Sequence, residues 1–349
     1  MRKLRAAVIG CGAPRRTGAE GWKIGYAHAE AYAALESTEL VAAADINPEN
    51  LAAFAGRFDV PAAYLDYREM LARERIDIVS ICTWVGLHAE ITVAAAESGV
   101  RGILCEKPMA LSMSEADRML AACRANGVQF ALNTQRRFGE PWVTAKKLID
   151  TGEIGTTLQF EGSCPDWDLL EWGTHWVDMC RFFASESPAS WVFAQVDASQ
   201  GKRIFGHLVE NDAVVRIGFE NGFTGTLYMG EHAPRDFSNR ILGSDGVVVI
   251  AGENLKYLSA KSRGWVELEV PKGPDAIAAS VDALVTAVHT GVEAPHGASG
   301  ARAVTEITLA AYHSAVENRL IRLPLDAKDF PLERLAARYQ RERLNAGDS

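Results

Sequence analysis

Val8-Ile9-Gly10-Cys11-Gly12 is an apolar run that passes directly into a pair of glycines. Such a run is typical of the first strand of a nucleotide-binding domain, because a glycine turn lets phosphate groups approach the N-terminus of the following helix. Two glycines alone are weak support, since glycine pairs are common at turns. The interpretation therefore depends on the sequence around the run.

The loop after this strand is longer than a simple dinucleotide motif requires. Position 15, where Gly-x-Gly-x-x-Gly would have its third glycine, is Arg15, and the next glycine that leads directly into a helical segment is Gly25. We interpret the intervening residues, which include Arg15 and Arg16, as an insertion. The predicted phosphate-binding glycines are Gly10, Gly12 and Gly25.

The first part of the chain alternates continuous apolar runs with alanine-rich helical segments. The predicted strands are 6–9, 40–44, 76–82, 102–105 and 128–132, and the predicted helices are 28–35, 48–58, 88–98 and 114–126. Asn47 and Ser114 are the expected N-caps of the second and last helices, and Asn126-Gly127 is the expected stop of the last. This alternation predicts a doubly wound parallel α/β sheet over residues 1–134.

Residues 135–349 follow a different pattern. The region 157–270 is rich in β-branched and aromatic residues, and turns such as Glu220-Asn221-Gly222 and Ser244-Asp245-Gly246 interrupt it. This combination is typical of antiparallel hairpins. Helical patterns flank the region at 142–151, 171–183, 277–290 and 301–318. We predict a second, α+β domain with a large, mainly antiparallel open sheet.

The composition is that of an ordinary globular protein. The 349 residues suffice for two domains, and the formal net charge of −9 argues against nucleic acid or an anionic membrane as partner. Six scattered cysteines without a Cys-x-x-Cys pair indicate reduced thiols in the cytoplasm. The first strand follows Met1-Arg2-Lys3 at once, which leaves no room for a signal peptide. No apolar run reaches the roughly 18 residues of a membrane span.

Asp45 ends the second predicted strand, in Ala44-Asp45-Ile46-Asn47. An acid at this position is expected to hydrogen-bond the adenosine ribose hydroxyls and to repel a 2′-phosphate. Because no Arg or Lys follows it closely, the sequence favours NAD over NADP. The alternative is that Asp45 caps the helix beginning at Pro48, although Asn47 is better placed for that role.

Lys107 lies in Cys105-Glu106-Lys107-Pro108, directly after the apolar run Gly102-Ile103-Leu104. Open α/β sheets bind ligands at the carboxyl ends of their strands, so this lysine is expected to point into the ligand crevice. Taken alone, it would be interpreted as a solvated lysine at a strand end. Beside a nucleotide site, it becomes a candidate acid/base group.

Glu171, His175 and Asp178 recur at spacings of four and three residues. If this segment is a helix, the three side chains share one face. We interpret them as an acid/base constellation, with a histidine tuned by a carboxylate. A metal site is disfavoured, because only one histidine is present, and a plain polar helix face stays open as the alternative. The nearby tryptophans either contact a sugar or belong to the core: Trp167, Trp172 and Trp176.

These motifs resemble the glucose–fructose oxidoreductase / inositol dehydrogenase / MocA (Gfo/Idh/MocA) family. The resemblance rests on Glu106-Lys107-Pro108, on the two-domain plan and on the predicted helix with Glu171 and His175. It covers nearly the whole chain. It extends to three further segments: Thr83-Trp84-Val85-Gly86-Leu87-His88, Gln135-Arg136-Arg137-Phe138 and the final short strand Ile321-Arg322-Leu323-Pro324.

The resemblance implies a Rossmann domain that binds NAD and an open sheet in the second domain that often mediates homodimers or homotetramers. It implies a cis peptide bond before Pro108, a lysine that contacts cofactor and substrate hydroxyl, and His175 as the acid/base group. The family usually has Asp four residues before this histidine; here Glu171 is one methylene longer, which leaves its substrate contact open. The implied cofactor contacts also include Thr83, His88, Glu106 and Lys107.

The predicted function is NAD-dependent hydride transfer between nicotinamide and a hydroxyl of a sugar, sugar derivative or polyol. The predicted catalytic residues are Lys107, His175 and Glu171, and the predicted substrate-binding residues are Arg137, Trp172 and Asp178. An anionic substrate stays open as an alternative, because four arginines could bind its negative charge: Arg15, Arg16, Arg136 and Arg137.

Two rival functions stay open at this point. One is an NAD-dependent glycoside-cleaving enzyme that oxidises the sugar transiently, eliminates the aglycone and restores the hydroxyl. The other is a non-catalytic NAD-binding regulator on the same fold. The presence of both Lys107 and His175 argues against the regulator.

Overall fold

The computed structural model describes residues 2–13, 24–236, 238–327 and 329–347. The predicted insertion with Arg15 and Arg16 therefore lies outside the described residues. The chain divides into two compact units: Met1–Gln135 with Pro274–Arg302, and Arg136–Gly273 with Ala303–Ser349. This division differs from the predicted one in giving Pro274–Arg302 to the first unit.

Helices and strands are numbered along the described chain. The helices are α1 (Ile24–Ala34), α2 (Pro48–Phe58), α3 (Tyr67–Arg73), α4 (Val85–Glu97), α5 (Met113–Ala125), α6 (Glu140–Asp150), α7 (Thr174–Phe183), α8 (Ala276–Thr290), α9 (Ala298–Glu317) and α10 (Leu332–Gly347). The strands of the first unit are β1 (Leu4–Ile9), β2 (Thr38–Ala44), β3 (Ala62–Tyr64), β4 (Ile78–Ile81), β5 (Gly102–Cys105) and β6 (Gln129–Leu132). The remaining strands are β7 (Thr157–Pro165), β8 (Ala189–Asp197), β9 (Arg203–Ile204), β10 (His207–Leu208), β11 (Asp212–Phe219), β12 (Thr224–Gly230), β13 (Ser238–Gly243), β14 (Gly246–Ala251), β15 (Asn254–Ser259), β16 (Val266–Leu268) and β17 (Ile321–Arg322).

The first unit is built on a six-stranded sheet with the order β3-β2-β1-β4-β5-β6. All neighbouring strands run parallel. This is the Rossmann order, in which the crevice between β1 and β4 at the carboxyl ends receives the ligand. Every residue of β4 and β5 is buried, as expected of strands covered on both faces. The predicted doubly wound sheet is confirmed, although the short β3 and α3 were not predicted.

Local capping determines where the helices of this unit begin. Asn47 caps α2 as predicted, because its side chain accepts hydrogen bonds from the amides of Glu49 and Asn50. The prediction for α5 was wrong: Ser112, not Ser114, is its N-cap. The Ser112 hydroxyl accepts the amide of Glu115 at 3.2 Å, so the cap lies two residues earlier than expected.

Helix α8 belongs to the first unit because its apolar face packs there. Val281, Leu284, Val285 and Val288 are buried in the same core cluster as Leu4 of β1. They recur at helical spacing, so they cover one side of α8. The helix lies close over β5: a Cβ added at Gly102 would be 2.7 Å from Val288 Cγ2. Sequence periodicity predicted the helix but not the unit against which it packs.

The second unit contains a nine-stranded sheet with the order β16-β15-β14-β13-β7-β12-β11-β8-β17. Among the described strands of this nine-stranded sheet, β7 and β12 alone pair in parallel; its other pairs are antiparallel. Both predicted turns connect hairpins, β11 to β12 and β13 to β14. The prediction of a large, mainly antiparallel sheet is confirmed.

The two faces of this sheet differ. Its inner face is buried and includes Val215, Leu227 and Ile241. Helix α7 packs against β7 and β12, and Phe160 of β7 stacks on Phe183 of α7 with 5.6 Å between ring centroids. The opposite face leaves apolar side chains in solvent, with Phe193 41% and Val214 45% exposed. In the described part of the chain, no helix has the length and apolar character to span a membrane.

Candidate active site

The glycine loop has the geometry of a dinucleotide-binding turn. Gly10 and Gly12 have φ values of +88° and +71°, which residues with a side chain rarely adopt. A Cβ at Gly10 would lie 2.8 Å from the carbonyl oxygen of Cys82, and one at Gly25 would lie 2.6 Å from that of Gly10. Gly25 therefore lets the start of α1 approach the turn, which is the packing role of the third glycine in the dinucleotide motif.

Asp45 follows β2 and faces the same turn. One carboxylate oxygen, Oδ2, accepts the amides of Cys11 at 2.8 Å and Gly12 at 3.1 Å, and Oδ1 accepts the amide of Asn47 at 2.8 Å. Three of the about four acceptor positions of a carboxylate are thus used. The remaining position, on Oδ1, can accept a ribose hydroxyl. The neighbouring Ile46 is 88% exposed and adds an apolar surface beside this carboxylate.

Thr83 follows β4 and lies next to Gly10. A Cβ at Gly10 would lie 2.9 Å from the Thr83 amide nitrogen, so the two backbones are in close approach. The Thr83 hydroxyl oxygen is buried and has no hydrogen-bond partner within the described residues. Buried polar groups normally have a partner. Thr83 therefore fits the predicted cofactor contact, and with the glycines and Asp45 it makes this unit suited to a dinucleotide.

His88 is placed differently from its predicted role. Its Nδ1 lies 2.9 Å from the carbonyl oxygen of Pro108, and its Nε2 lies 2.9 Å from that of Thr83. The imidazole is buried and links the end of β4 to the turn after Lys107. His88 therefore affects the site by holding the backbone carbonyl groups of Thr83 and Pro108. A direct contact between His88 and the cofactor stays a prediction.

Lys107 follows β5, at the carboxyl edge where the glycine loop also lies. Its peptide bond to Pro108 is cis, as the resemblance implied. Its amide donates to Oε2 of Glu106 at 3.3 Å. Glu106 is only 6% exposed and is held by two residues that sequence reasoning missed, His28 and Asn133. No local signal marks these two residues, because their partner is far away in the chain.

In the second unit, the predicted helix 171–183 has two parts. Leu169–Gly173 forms a π-helical turn, and α7 begins only at Thr174. Asp168 caps the turn, since its side chain accepts the amide of Glu171 at 2.6 Å. Glu171 thus precedes α7 instead of lying on it. The single α-helical face predicted for Glu171, His175 and Asp178 is corrected accordingly; π-helical turns often occur at functional sites.

His207, on β10, is a further residue that the sequence analysis missed. Its Nε2 lies 2.9 Å from Glu171 Oε1, and both side chains are buried. The extra methylene of Glu171 relative to Asp extends its carboxylate toward this partner. The Glu171 carboxylate therefore lies within ion-pair distance of a histidine 36 residues later in the sequence, although His207 Nε2 makes no hydrogen bond within the described residues.

His175 lies in the first turn of α7 and is 2% exposed. The ring of Trp172 lies 6.2 Å from it, measured between centroids, and Trp172 in turn contacts Trp167 at 4.5 Å. Both of these tryptophans are half-buried. Trp176, by contrast, is 6% exposed and donates its indole N–H to Asn239 at 2.6 Å. The predicted tryptophan cluster thus divides into an accessible pair beside His175 and one core residue.

Arg137 and Asp178 pair with each other. The Arg137 guanidinium donates to the two carboxylate oxygens of Asp178 at 2.8 and 2.7 Å, and both residues are buried. Arg137 also donates to Glu186 at 3.0 Å. Bidentate pairs of this kind are strong and geometrically specific. The arrangement gives both side chains a structural role, and the substrate contacts of Arg137 and Asp178 stay a prediction.

A second buried carboxylate lies beside the π-helical turn. Glu210 accepts the amide of Leu169 and the hydroxyl of Tyr312, the latter at 2.7 Å. Burial, together with the charge of Asp168, raises the pKa of Glu210 to about 7 despite the hydrogen bond from Tyr312. The turn that carries Glu171 is therefore supported by two acids, Asp168 and Glu210. Among the described residues, no group of three or more acids, histidines and cysteines is arranged to hold a metal ion.

A Rossmann sheet with a dinucleotide turn, followed by a unit with a large open sheet and a buried histidine, defines a two-domain nucleotide-dependent oxidoreductase. Comparison with known families agrees with this class. A model described as an oxidoreductase family with an NAD-binding Rossmann fold matches residues 4–134, and the GFO/IDH/MocA C-terminal domain matches residues 168–249. The chain belongs to the Gfo/Idh/MocA family of NAD-binding oxidoreductases.

Relatives with named activities include several sugar and polyol dehydrogenases. Inositol 2-dehydrogenase of Rhizobium meliloti is 29% identical over 324 residues, which are 86% of this chain and 96% of the relative. Levoglucosan dehydrogenase of Pseudarthrobacter phenanthrenivorans is 29% identical over 273 residues, 65% of this chain and 67% of the relative. A solved levoglucosan dehydrogenase in complex with NADH and levoglucosan has a TM-score of 0.81 and 23% identity, and the match covers 93% of this chain and 100% of that chain. At that identity the structural match shows the fold.

Proposed function

We propose that this protein catalyses NAD-dependent hydride transfer between nicotinamide and a hydroxyl-bearing carbon of a sugar or polyol. The observation that carries the proposal is the carboxyl edge of the Rossmann sheet, where the glycine loop, Thr83 and Lys107 follow β1, β4 and β5. Ligands of open α/β sheets bind at this edge. Family membership and the activities of the named relatives support the same class of reaction.

The first unit would hold the cofactor through the glycine turn, Asp45 and the residues that follow its strands. The backbone of Gly10 and Gly12 would face the pyrophosphate, and the N-terminus of α1 would supply amide donors. Asp45 would accept a ribose hydroxyl, and the apolar Ile46 after it offers no cation for a 2′-phosphate. This arrangement favours NAD over NADP. When bound here, NAD would supply the hydride acceptor or donor of the reaction.

The chain itself must handle the hydroxyl proton and the developing alkoxide charge. We assign the general-base role to His175, which lies beside the accessible tryptophan pair. Lys107 supplies the positive charge that stabilises an alkoxide, and Glu171 orients polar groups of the second unit through its pair with His207. Trp172, with Trp167, offers an aromatic surface suited to the apolar face of a sugar ring.

The test is a screen of NAD⁺ reduction with sugars, polyols, sugar acids and glycosides, starting from myo-inositol, levoglucosan and D-apiose, which the names of relatives suggest. We expect NADH to form with at least one of them, and His175→Ala to lower kcat by about 10²–10⁴-fold while the affinity for NAD⁺ persists. His289→Ala, which changes an exposed histidine of α8, is the matched control.

Two results would contradict the proposal. The first is the absence of NADH formation with every class in the screen. The second is near-normal turnover of His175→Ala, which would remove this residue from the mechanism. Release of an aglycone from a glycoside without net NADH would instead favour the glycoside-cleaving alternative.

We further propose that the protein is cytoplasmic and forms a homodimer or homotetramer through the open face of the nine-stranded sheet. Support comes from Phe193 and Val214, two exposed apolar side chains on neighbouring strands of that face, because exposed apolar side chains clustered on one face mark association surfaces. We also propose that the substrate can carry a negative charge. The support is Arg136, whose buried Nε has no hydrogen-bond partner among the described residues and whose guanidinium lies 4.3 Å from the centroid of the Trp176 ring.

A further inference from the structure

The first unit contains a line of buried polar side chains that ends on Glu106. Tyr32 Oη lies 2.7 Å from Ser80 Oγ, Ser80 Oγ lies 2.8 Å from His28 Nδ1, and His28 Nε2 lies 2.9 Å from Glu106 Oε1. Tyr32, Ser80 and His28 are each 0% exposed. The line begins on α1, crosses β4 and reaches the residue directly before Lys107.

The hydrogen atoms in this line have one consistent direction. An ionised carboxylate can only accept, so His28 Nε2 must donate to Glu106. In the imidazole tautomer whose only N–H is at Nε2, Nδ1 accepts, so the Ser80 hydroxyl donates to His28 and the Tyr32 hydroxyl donates to Ser80. Each donor of this line points toward the carboxylate.

Asn133 holds the carboxylate from the other side. Its Nδ2 donates to Glu106 Oε1 at 2.6 Å, and its Oδ1 accepts the hydroxyl of Ser280 at 3.1 Å. Ser280 Oγ also lies 3.0 Å from His296 Nε2. Because the Ser280 hydrogen is directed to Asn133, His296 is the donor in that contact. The Asn133 amide is therefore fixed with its nitrogen toward Glu106.

The surrounding charges keep Glu106 ionised. Burial by itself would raise its pKa, but the hydrogen bond from His28, the charge of Lys107 and the hydrogen bond from Asn133 outweigh it and hold the pKa below its ordinary value. The other titratable groups that face Glu106 are the thiols of Cys82 on β4 and Cys105 on β5. Burial raises their pKa well above the ordinary value, so both thiols are neutral.

We propose that His28 and Asn133 are positioning residues for Lys107: they fix Glu106 as a buried carboxylate, which holds the Lys107 amide and keeps a negative charge on the residue directly before the lysine. The inference rests on the proposed function in giving Lys107 a role in catalysis. The positions of His28, Asn133 and Glu106 do not depend on that role.

The experiment compares His28→Leu, which removes the donor, with His28→Gln, which retains an N–H, and with Tyr32→Phe as the matched control at the far end of the line. The first measurement is a difference infrared titration of the carboxyl band, assigned with Glu106→Gln. We expect a protonated carboxyl group to appear near neutral pH in His28→Leu, and not in the wild type, His28→Gln or Tyr32→Phe. The physical reason is that a buried carboxylate without donors takes up a proton.

The second measurement is the pH dependence of kcat/KM for NAD⁺ reduction, with myo-inositol or the best substrate of the screen. We expect the acid limb to move to higher pH by about one unit or more in His28→Leu, with most of the shift restored in His28→Gln. If no substrate is oxidised, the proposed function fails, while the infrared titration still decides the ionisation of Glu106.

Circular dichroism establishes whether each variant is folded. If His28→Leu does not fold, Asn133→Ala provides the same comparison, because it removes the other side-chain donor to Glu106. The inference is overturned if a folded variant lacking either donor shows no protonated carboxyl band between about pH 5 and about pH 8. It is also overturned if Tyr32→Phe shifts the titration as far as His28→Leu.

Discussion

Glu171 shows how one methylene changes the environment of a functional position. The family resemblance leads to an expectation of Asp four residues before the acid/base histidine, and the longer Glu171 here reaches His207 at 2.9 Å. A shorter Asp would not extend as far from the same backbone position. The Glu171 carboxylate therefore contacts a histidine of the second unit. This contact supports a role for Glu171 in orienting other polar groups.

Glu210 leads to a prediction about the pH dependence of stability. Its pKa is about 7 in the folded protein against an ordinary value of 4.5, so the folded state binds more protons than the unfolded state between these values. The resulting contribution to the free energy of unfolding is fully present below the ordinary pKa and is lost as the pH rises through about 7. The loss amounts to at most about 3 kcal/mol.

Glu210→Gln should remove this loss, because the amide carries no charge at any pH. We expect the free energy of unfolding of the variant, relative to the wild type, to be more favourable at about pH 8 than at about pH 5, by about 2–3 kcal/mol. Urea unfolding at both pH values measures it, with the exposed Glu220→Gln as control. An equal difference at the two pH values would show that Glu210 does not titrate in this range.

At the scale of elements, α8 shows that a helix can be predicted without its place in the fold. The apolar periodicity of this segment indicated a helix over 277–290, and the helix extends over Ala276–Thr290. Nothing in that periodicity specifies which sheet it covers. The choice depends on complementary shape, such as the glycine at position 102 that admits Val288.

Leu284→Ala should therefore destabilise the first unit. Leu284 is fully buried in the core cluster that includes Leu4, and large-to-small changes at such positions cost about 2–5 kcal/mol. Hydrogen exchange should show loss of protection in β5 and β6, with smaller changes in β11 and β12. The exposed Thr286→Ala on the same helix is the control. Loss of protection confined to β11 and β12 would contradict the assignment of α8 to the first unit.

At the scale of the whole molecule, the open face of the nine-stranded sheet leads to a prediction about assembly. Val214→Glu places a charge among apolar side chains that we propose to be covered by a second copy, and burying an unpaired charge is costly. We expect the wild type to sediment as a dimer or tetramer across a concentration series and Val214→Glu to shift toward the monomer.

Leu65→Glu is the matched control for this prediction, because Leu65 is a similarly exposed leucine of the first unit, with 55% of its surface accessible. It should leave the sedimentation of the assembly unchanged. A wild-type protein that sediments as a monomer at all concentrations would contradict the proposed association through this face.

The sequence by itself determined the fold class of each unit. It also located the strand ends of the first unit that carry the predicted cofactor-binding residues. Continuous apolar runs, the Gly10 and Gly12 turn, Asp45 after β2 and Lys107 after β5 are local patterns, because burial on both faces and turn geometry act on neighbouring residues. For the same reason, the boundaries of α2 and β5 could be predicted to the residue.

Only the tertiary structure decided how the polar groups pair. His28 and Glu106 are 78 residues apart in the sequence, and Tyr312 and Glu210 are 102 apart. Arg137 and Asp178 likewise satisfy each other across 41 residues. Such pairings form because buried polar groups must find partners wherever the packed elements bring them together. The local periodicity of the sequence does not indicate those partners. The roles of four residues could therefore be assigned only from the folded units: His28, Asn133, His207 and Glu210.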